Sequence, residues 1–428
     1  MWRLSYRMFS AVSAIGFWVR RRFTAAGLVA LGTLVIAAAL GVDTNQTLAY
    51  QIFTFVAALL AVAMLAALFA RPRFEVVRRL PRMITAGQAF DYRVQVKNIG
   101  SRAADGLALL EDLADPRPAF AEFRAALKFP SYRGWWRLAQ RNQVAQVENT
   151  ALPALAPGAA AEVRVQGMAY RRGTLKIEAA TVARADPLGL VRSLARVALP
   201  DKVVVLPRRY SLPQLALPGA RRYQHGGVTL ASSVGESEEF MSLRDYRAGD
   251  PLQRIHWKSY ARSGKPVVKE YQDEFFERHA LVLDTFTDRD GAVFEEAVSL
   301  AASFVCTLDT QECLLDLMFV GAESYCYTTG RGQMQAESLI EILAGVRTCG
   351  HRDFGRLRDA LLGRRATLSG CILILLDWDE PRQELARALQ QSGIAFKALL
   401  VSEHNIAGAP VWLHVLAPGH IQERLATL

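Results

Sequence analysis

FTAAGLVALGTLVIAAALGV, residues 23–42, and LAYQIFTFVAALLAVAMLAALFA, residues 48–70, are two runs without a charged side chain. Only Asp43-Thr44-Asn45-Gln46-Thr47 separates them. A helix rises 1.5 Å per residue, so each run can cross a hydrocarbon layer of about 30 Å. A link that short predicts an antiparallel pair, a two-helix transmembrane hairpin in the lipid bilayer. Its outer ends carry Arg3, Arg7, Arg20, Arg21 and Arg22 on one side and Arg71, Arg73, Arg78, Arg79 and Arg82 on the other. Arginine and lysine gather at cytoplasmic flanks and are scarce in translocated loops. The pattern predicts a two-pass protein of a plasma membrane with both termini in the cytoplasm. A signal peptide cleaved near Ala37-Ala38-Ala39 is the competing reading. Its basic leader is long for that, and a second span follows at once.

The remaining composition agrees with a folded, multidomain chain. Of 428 residues, 51% are hydrophobic and 21% charged, which excludes a disordered or collagen-like polymer. The net charge of +10 first suggests nucleic acid. However, residues 1–82 hold ten arginines against only Asp43 and Glu75, and the rest of the chain is nearly balanced. The excess therefore borders the apolar runs. Within residues 1–22, the arginines alternate with Trp2, Phe9, Ile15, Phe17 and Trp18. Two readings stay open there, a helix lying along the membrane surface and an ordinary basic leader. The five cysteines, Cys306, Cys313, Cys326, Cys349 and Cys371, show no C-x-x-C spacing and predict neither a disulfide framework nor a zinc ribbon.

Residues 73–205 read as short strands. Residues 90–97 and 161–166 alternate apolar and polar side chains and stop at glycine, asparagine or proline. This pattern predicts an antiparallel β-sandwich. Asp186-Pro187-Leu188-Gly189-Leu190 is expected to be a turn. Residues 115–150 interrupt the sandwich with an expected helix over 119–127, followed by Trp135 and Trp136. From residue 279 onward, apolar runs alternate with helical spacing, which predicts an α/β domain with a parallel sheet covered on both faces. Residues 206–278 read as a linker carrying a dense charged and aromatic segment. The expected divisions are therefore 1–72, 73–205, 206–278 and 279–428.

Two constellations carry chemistry. Asp284, with Thr285, Thr287 and Asp288, follows the first strand of the α/β domain, and Asp377 and Asp379 follow a later one. Ligands gather at the carboxyl ends of parallel strands, and clustered oxygen donors suit Mg²⁺ or Ca²⁺. Solvated strand-end acids are the plain alternative. The second constellation runs from residue 238 to residue 270 and packs Arg244, Asp245, Tyr246, Arg247, Gly249, Asp250, Ile255, Trp257, Lys258 and Arg262 into one segment. Either an ion-pair lattice braces the fold there, or the segment docks an acidic partner. Acids dilute its field, so nucleic-acid binding is not expected. There is no phosphate loop at Gly264-Lys265, no H-E-x-x-H and no G-x-S-x-G.

Arg244-Asp245-Tyr246-Arg247-Ala248-Gly249-Asp250, followed by Ile255-His256-Trp257-Lys258 and Ala261-Arg262, resembles the signature of the bacterial "domain of unknown function 58" family. Arg171-Arg172-Gly173, the 186–190 turn and the twin apolar runs match the same pattern. The resemblance implies a C-terminal von Willebrand factor A-like domain of Rossmann type. It also implies company with MoxR-type AAA ATPases and membrane transglutaminase-like proteins, and the family has no established enzymatic activity. A von Willebrand A metal site uses D-x-S-x-S. Here Asp284 fits the first place, Phe286 and Asp288 stand where the serines would, and Asp377 fits the late acid. The expectation is a degenerate metal site that holds Mg²⁺ at most weakly, in a membrane-bound, non-catalytic adaptor. The alternatives are a metal-dependent hydrolase using the strand-end aspartates and a nucleic-acid binder using the arginine-rich signature.

Overall fold

The computed structural model describes residues 2–40, 47–69, 72–212, 224–225, 240–248, 250, 252–271, 275–287, 291–307, 313–320, 324–329, 333–350, 354–404, 406 and 408–426. The chain divides into two compact units, Met1–Leu206 and Pro207–Leu428. The second unit takes in the segment read from sequence as a linker.

The first unit opens with three helices, α1 (Trp2–Arg22), α2 (Ala25–Leu40) and α3 (Thr47–Phe69). α3 is long and apolar enough to cross a membrane, and its surface leaves Phe55, Val62, Leu65 and Phe69 exposed. α2 is equally apolar but has 16 residues, about 24 Å of helix. The tight link expected after it falls largely on residues 41–46, outside the described residues.

Strands follow: β1 (Phe74–Arg79), β2 (Met83–Thr85), β3 (Ala89–Asn98), β4 (Leu107–Leu113), β5 (Ala145–Val147), β6 (Thr150–Leu152), β7 (Ala160–Ala169), β8 (Gly173–Ala185) and β9 (Arg192–Leu206). They form a four-stranded sheet, β1-β3-β7-β5, and a five-stranded sheet, β2-β9-β8-β4-β6. All pairings are antiparallel except β2 with β9. Alternation decides the faces. Tyr92, Val94 and Val96 of β3 point inward and meet Leu107, Leu109, Ala180 and Val182 of the facing sheet.

Two arginines of the membrane-flank reading are paired inside this unit, Arg21 with Asp112 and Arg78 with Glu111 and Asp201. Strand alternation turns Arg78 inward, where its guanidinium forks onto Glu111 at 2.6 and 3.1 Å and reaches Asp201 at 2.5 Å. Its side chain is fully covered, so it adds nothing to a charge gradient across a membrane.

Between β4 and β5 lie α4 (Phe120–Ala126) and α5 (Tyr132–Asn142), the latter capped by the Ser131 hydroxyl, which accepts the Gly134 N–H. Phe123 and Trp135 are fully buried against Tyr6 and Phe9 of α1. Adjacent residues lie about 100° apart around a helix, so Trp136 points elsewhere and is exposed.

The second unit contains β10 (Gln224–His225), β11 (Phe240–Asp245), α6 (Trp257–Ser263), β12 (Val267–Tyr271), β13 (Phe275–Leu283), α7 (Ala292–Thr307), β14 (Cys313–Val320), β15 (Ser324–Thr329), α8 (Gln333–Gly345), α9 (Gly355–Leu362), β16 (Gly370–Leu375), α10 (Glu380–Gln391), β17 (Ala395–Val401), β18 (Leu413–Leu416) and α11 (Ile421–Leu425). The main sheet runs β15-β14-β13-β16-β17-β18, with β10 paired to β13. β14, β13, β16, β17 and β18 are mutually parallel. The sequence pattern predicts a parallel sheet, and the structure corrects this: β15 pairs antiparallel with β14, and β10 antiparallel with β13. Only residues 321–323 separate β14 from β15, and a connection that short permits an antiparallel hairpin alone. Every residue of β16 is buried, as expected of a strand covered on both faces. β11 and β12 form a separate antiparallel pair.

Candidate functional site

Three constellations emerge, one in the first unit and two in the second. The first joins the helical base to the sandwich. The chain leaves α1 at Phe23, whose backbone bridges Val191, and Thr24 N–H donates to Leu190 O at 3.0 Å. The Thr24 hydroxyl donates to Gly189 O at 2.5 Å and accepts the Gly27 N–H at 3.0 Å, starting α2. The receiving loop is the 186–190 turn. The buried Asp186 carboxylate accepts N–H groups of Leu188, Leu190 and Val191 at 3.0, 2.7 and 2.7 Å. Gly189 takes φ +68°, a left-handed conformation that disfavours other residues. Gly27 permits the closest approach, because a Cβ there would lie 2.0 Å from Leu190 O. Phe23, Leu190 and Val191 pack with Leu60, Ala63 and Ala67 of α3. Both apolar helices are thus fixed to one sandwich loop by hydrogen bonds and apolar contact.

The second constellation lies where strand order reverses. β13 is followed in sequence by β14 on one side and later by β16 on the other. Their carboxyl ends open a crevice at this switch point. Asp284, fully buried, sits there directly after β13. Its carboxylate accepts N–H groups of Phe286 at 2.9 Å and Leu376 at 3.1 Å. It also accepts Arg382 Nε and Nη2 at 2.8 and 3.2 Å. Arg382 further donates to Asp379 at 2.5 Å and to Phe286 O at 2.9 Å, and its guanidinium lies 4.9 Å from the Phe354 ring centre. Burial raises the Asp284 carboxyl, while the guanidinium and the two backbone N–H groups pull it back.

This donor set does not suit a divalent ion. Two fixed N–H groups and one permanently charged fork occupy Asp284, and a second cation beside Arg382 would be repelled. Asp377 follows β16 but is exposed, and its carboxylate accepts the Trp378 N–H at 2.7 Å. Asp288 lies outside the described residues. Among the described residues, no group of three or more His, Cys, Asp or Glu is placed to hold a metal. Nor is an activated thiol present among them where a shift is evident. Burial pushes Cys371 and Cys326 upward, keeping both protonated. Beside the plugged crevice, Trp378, Gln383, Arg387, Pro410 and Trp412 line a cleft of about 380 Å³. Trp378 and Trp412 meet edge to face at 5.6 Å.

The third constellation is the charged signature. β11 and β12 pair through Arg244 with Val268 and Asp245 with Val267. Arg244 forks onto Asp250 with two bonds of 2.7 Å, and Asp250 also accepts the Arg247 N–H at 2.8 Å. Ile255 bridges Val268, and both are buried. His256 Nδ1 lies 2.6 Å from Ser259 Oγ. These residues brace the hairpin. Trp257, Lys258, Tyr260 and Arg262 are exposed, with Trp257 and Tyr260 edge to face at 6.1 Å. Tyr246 is half-buried, Asp245 is exposed, and Gly249 lies outside the described residues. The segment therefore does two things: its ion pair fixes backbone geometry, and its short helix offers an aromatic and basic surface.

The Arg244 fork and the Arg247 N–H hold Asp250 down to about 2. An ordinary aspartate titrates near 3.9 in an unfolded chain. Its stabilising contribution is thus complete above about pH 4 and is lost as pH falls through about 2. Amide exchange in β11 and β12 accelerates over that interval. Arg244→Lys keeps the charge but loses the fork, and moves the Asp250 midpoint back toward 4. A carbon-detected titration giving wild-type Asp250 an ordinary midpoint would refute the clamp.

No family model matches the chain. It is 27% identical over 177 residues to the uncharacterized protein YeaD of Bacillus subtilis (strain 168), covering 40% of this chain and 42% of that one. The chain thus spans well under half the length of this curated relative. Among solved structures it is similar to the CARDB domain of the PF1109 protein from Pyrococcus furiosus, at 15% identity, covering 32% of this chain and 91% of that one, with a TM-score of 0.18. It is also similar to the ASH/PapD-like domain of human CEP192, at 10% identity over 32% of this chain and 91% of that one, TM-score 0.18. A GH20 exo β-N-acetylglucosaminidase from Vibrio harveyi matches at 10% identity over 75% of this chain and 60% of that one, TM-score 0.17. Scores so low carry no argument.

Sequence reasoning locates Asp284 and the 186–190 turn and misses their partners. Arg382 lies on the buried face of α10, three, four and seven residues before Leu385, Ala386 and Leu389, and nearly 100 residues from Asp284. An arginine on an apolar face is the one signal that could have found it. Thr24 and Gly27 lie inside an apolar run, where a threonine and a glycine read as ordinary members of a membrane helix.

Proposed function

We propose that the chain is a membrane-anchored, non-catalytic adaptor. α2 and α3 form a two-pass hairpin in a bacterial inner membrane, with both termini in the cytoplasm. The sandwich and a von Willebrand A-like second unit stand on it as an interaction platform. The observation that carries this reading is the bonded base: the start of α2 and the end of α3 share one apolar cluster with the 186–191 loop. A sandwich attached in this way to apolar helices is held at a bilayer surface. The Asp284–Arg382 pair supports the non-catalytic part, since it uses the strand-end acid for internal bonding. It also weighs against the metal-dependent hydrolase. The likeness of the 244–262 signature to the "domain of unknown function 58" pattern supports a MoxR-type AAA ATPase as partner, with a transglutaminase-like membrane protein as a second. Exposed Trp257 and Tyr260, flanked by Lys258 and Arg262, suit an acidic patch on that partner better than a nucleic-acid backbone.

Two experiments test this reading. Cysteine introduced by Ala426→Cys remains unlabelled by an impermeant maleimide on intact spheroplasts and reacts once the membrane is opened. Labelling of intact spheroplasts overturns the topology. A photoreactive group at Tyr260 in native membranes captures an ATPase reproducibly. Capture of no protein, with Trp257→Ala behaving like wild type in every interaction assay, overturns the docking role.

A further inference from the structure

α1 carries two apolar faces on opposite sides. Trp2, Tyr6 and Phe9 share one, and it is covered. Trp2 meets Phe123 at 5.6 Å, Tyr6 meets Trp135 at 5.2 Å, and Phe9 meets Tyr132 at 5.6 Å. Tyr6 Oη donates to Pro118 O, and Arg117 donates to Ser10 O, which fixes the rotation of the helix. Leu4, Met8, Ile15 and Trp18 recur at helical spacing on the other face. They are 75%, 54%, 62% and 48% exposed. The stripe is about 21 Å long. A folded protein does not leave such a face to water without an occupant.

Two observations select the occupant. First, the stripe is continuous with the apolar helices. α1 runs through Arg22 into Phe23, which packs with Leu60, Ala63 and Ala67 of α3, and Trp18 meets Phe23 at 6.2 Å. The open face therefore ends where α2 begins and α3 ends. Second, residues 1–42 contain five arginines and no acid or lysine. Arg3 and Arg7 are exposed and follow one edge of the stripe by helical position. Arginine beside a stripe of leucine, isoleucine and tryptophan is the composition of helices that lie in the headgroup layer.

We propose that α1 is an interfacial helix whose Leu4–Met8–Ile15–Trp18 face inserts into the cytoplasmic monolayer, with Arg3 and Arg7 on anionic phospholipid headgroups. The opposite face holds α4 and α5, so lipid contact fixes the orientation of the sandwich insertion. This inference rests on the membrane reading of α3 given above. It favours the first of the two readings that the sequence leaves open, an interfacial helix over a plain basic leader.

The test uses the full chain in nanodiscs of phosphatidylglycerol and phosphatidylcholine in equal amounts. p-Benzoyl-phenylalanine is placed singly at Met8, Ile15, Ser13 and Val62, and photo-adducts are identified by mass. Val62 of α3 reports the membrane reading itself. The expected result is lipid adducts at Val62, Met8 and Ile15 and none at Ser13, which shares the covered face. Adducts at Met8 and Ile15 carry phosphatidylglycerol in excess of its share, and Arg3→Glu with Arg7→Glu removes that excess. Adducts at Val62 without any at Met8 or Ile15 overturn the proposal and leave the anchor standing. Absence at all four positions overturns the anchor as well. Cross-links from Ile15 to a second copy of the chain replace lipid with a homodimer and overturn the proposal, and equal use of the two lipids overturns the role of the arginines.

Discussion

Arg382→Ala destabilises the second unit by about 3–5 kcal/mol at neutral pH, the usual effect of stranding a buried charge. The wild-type guanidinium binds both oxygens of Asp284, one of Asp379 and the Phe286 carbonyl. Alanine removes all of these bonds and leaves a fully buried carboxylate with two backbone N–H groups. The native Asp284 carboxyl, already raised by burial, then rises further. The sign of the pH dependence follows. A native carboxyl with a raised value binds a proton more tightly than the unfolded chain does, so it loses stability as pH increases through the interval between the two values. The deficit of the variant is therefore largest near neutrality and shrinks on acidification. Denaturant midpoints of the full-length protein at a series of pH values, with amide exchange at Ile372 and Leu373, measure this. A variant as stable as wild type at neutral pH, or one whose deficit grows on acidification, removes the plugged-crevice interpretation. Mg²⁺ leaves the wild-type midpoint unmoved. A Mg²⁺-dependent rise of the wild-type melting temperature would restore the hydrolase reading.

The second large effect is expected at the base of the helices. Asp186→Ala strips the acceptor from three backbone N–H groups, of which those of Leu190 and Val191 are buried. Buried donors left without a partner cost about 1–3 kcal/mol each, and non-additivity brings the expected total to about 2–4 kcal/mol. The loop then loses the shape that presents Gly189 O and Leu190 O to Thr24. Gly27→Leu attacks the same junction from the other side, since its Cβ would collide with Leu190 O. Both variants accelerate amide exchange at Leu190 and Val191 and at Thr24 and Leu28, while β3 and β7 keep their protection. Unchanged exchange across the junction in both variants means that the sandwich is not held there.

Much of this architecture is legible in the sequence, for identifiable reasons. Period-two alternation in 90–97 places Tyr92, Val94 and Val96 on one face, because a strand leaves no other option. The continuous apolar run of β16 marks a strand covered on both sides. The Asp186 turn is visible because an acid, Pro and Gly in that order form a local structure. In contrast, Trp135 and Trp136 look equivalent in the chain, and only their angular positions on α5 separate a core residue from a surface one. The signature segment reads equally well as brace or docking surface. The fold divides it, burying Ile255 and clamping Arg244 to Asp250 while Trp257 and Tyr260 face outward.

By itself, the amino-acid sequence determines the apolar helices, the strand periods and the acids at strand ends, since each depends on neighbours within a few residues. Tertiary structure alone decides that Arg78 is an internal ion-pair partner rather than a flank charge, that Arg382 occupies Asp284, and that α1 covers one apolar face and leaves the other open. Those outcomes depend on groups tens to a hundred residues apart meeting at hydrogen-bond distance. Hydrogen bonds and ion pairs act only at such range, and chain spacing carries no record of them.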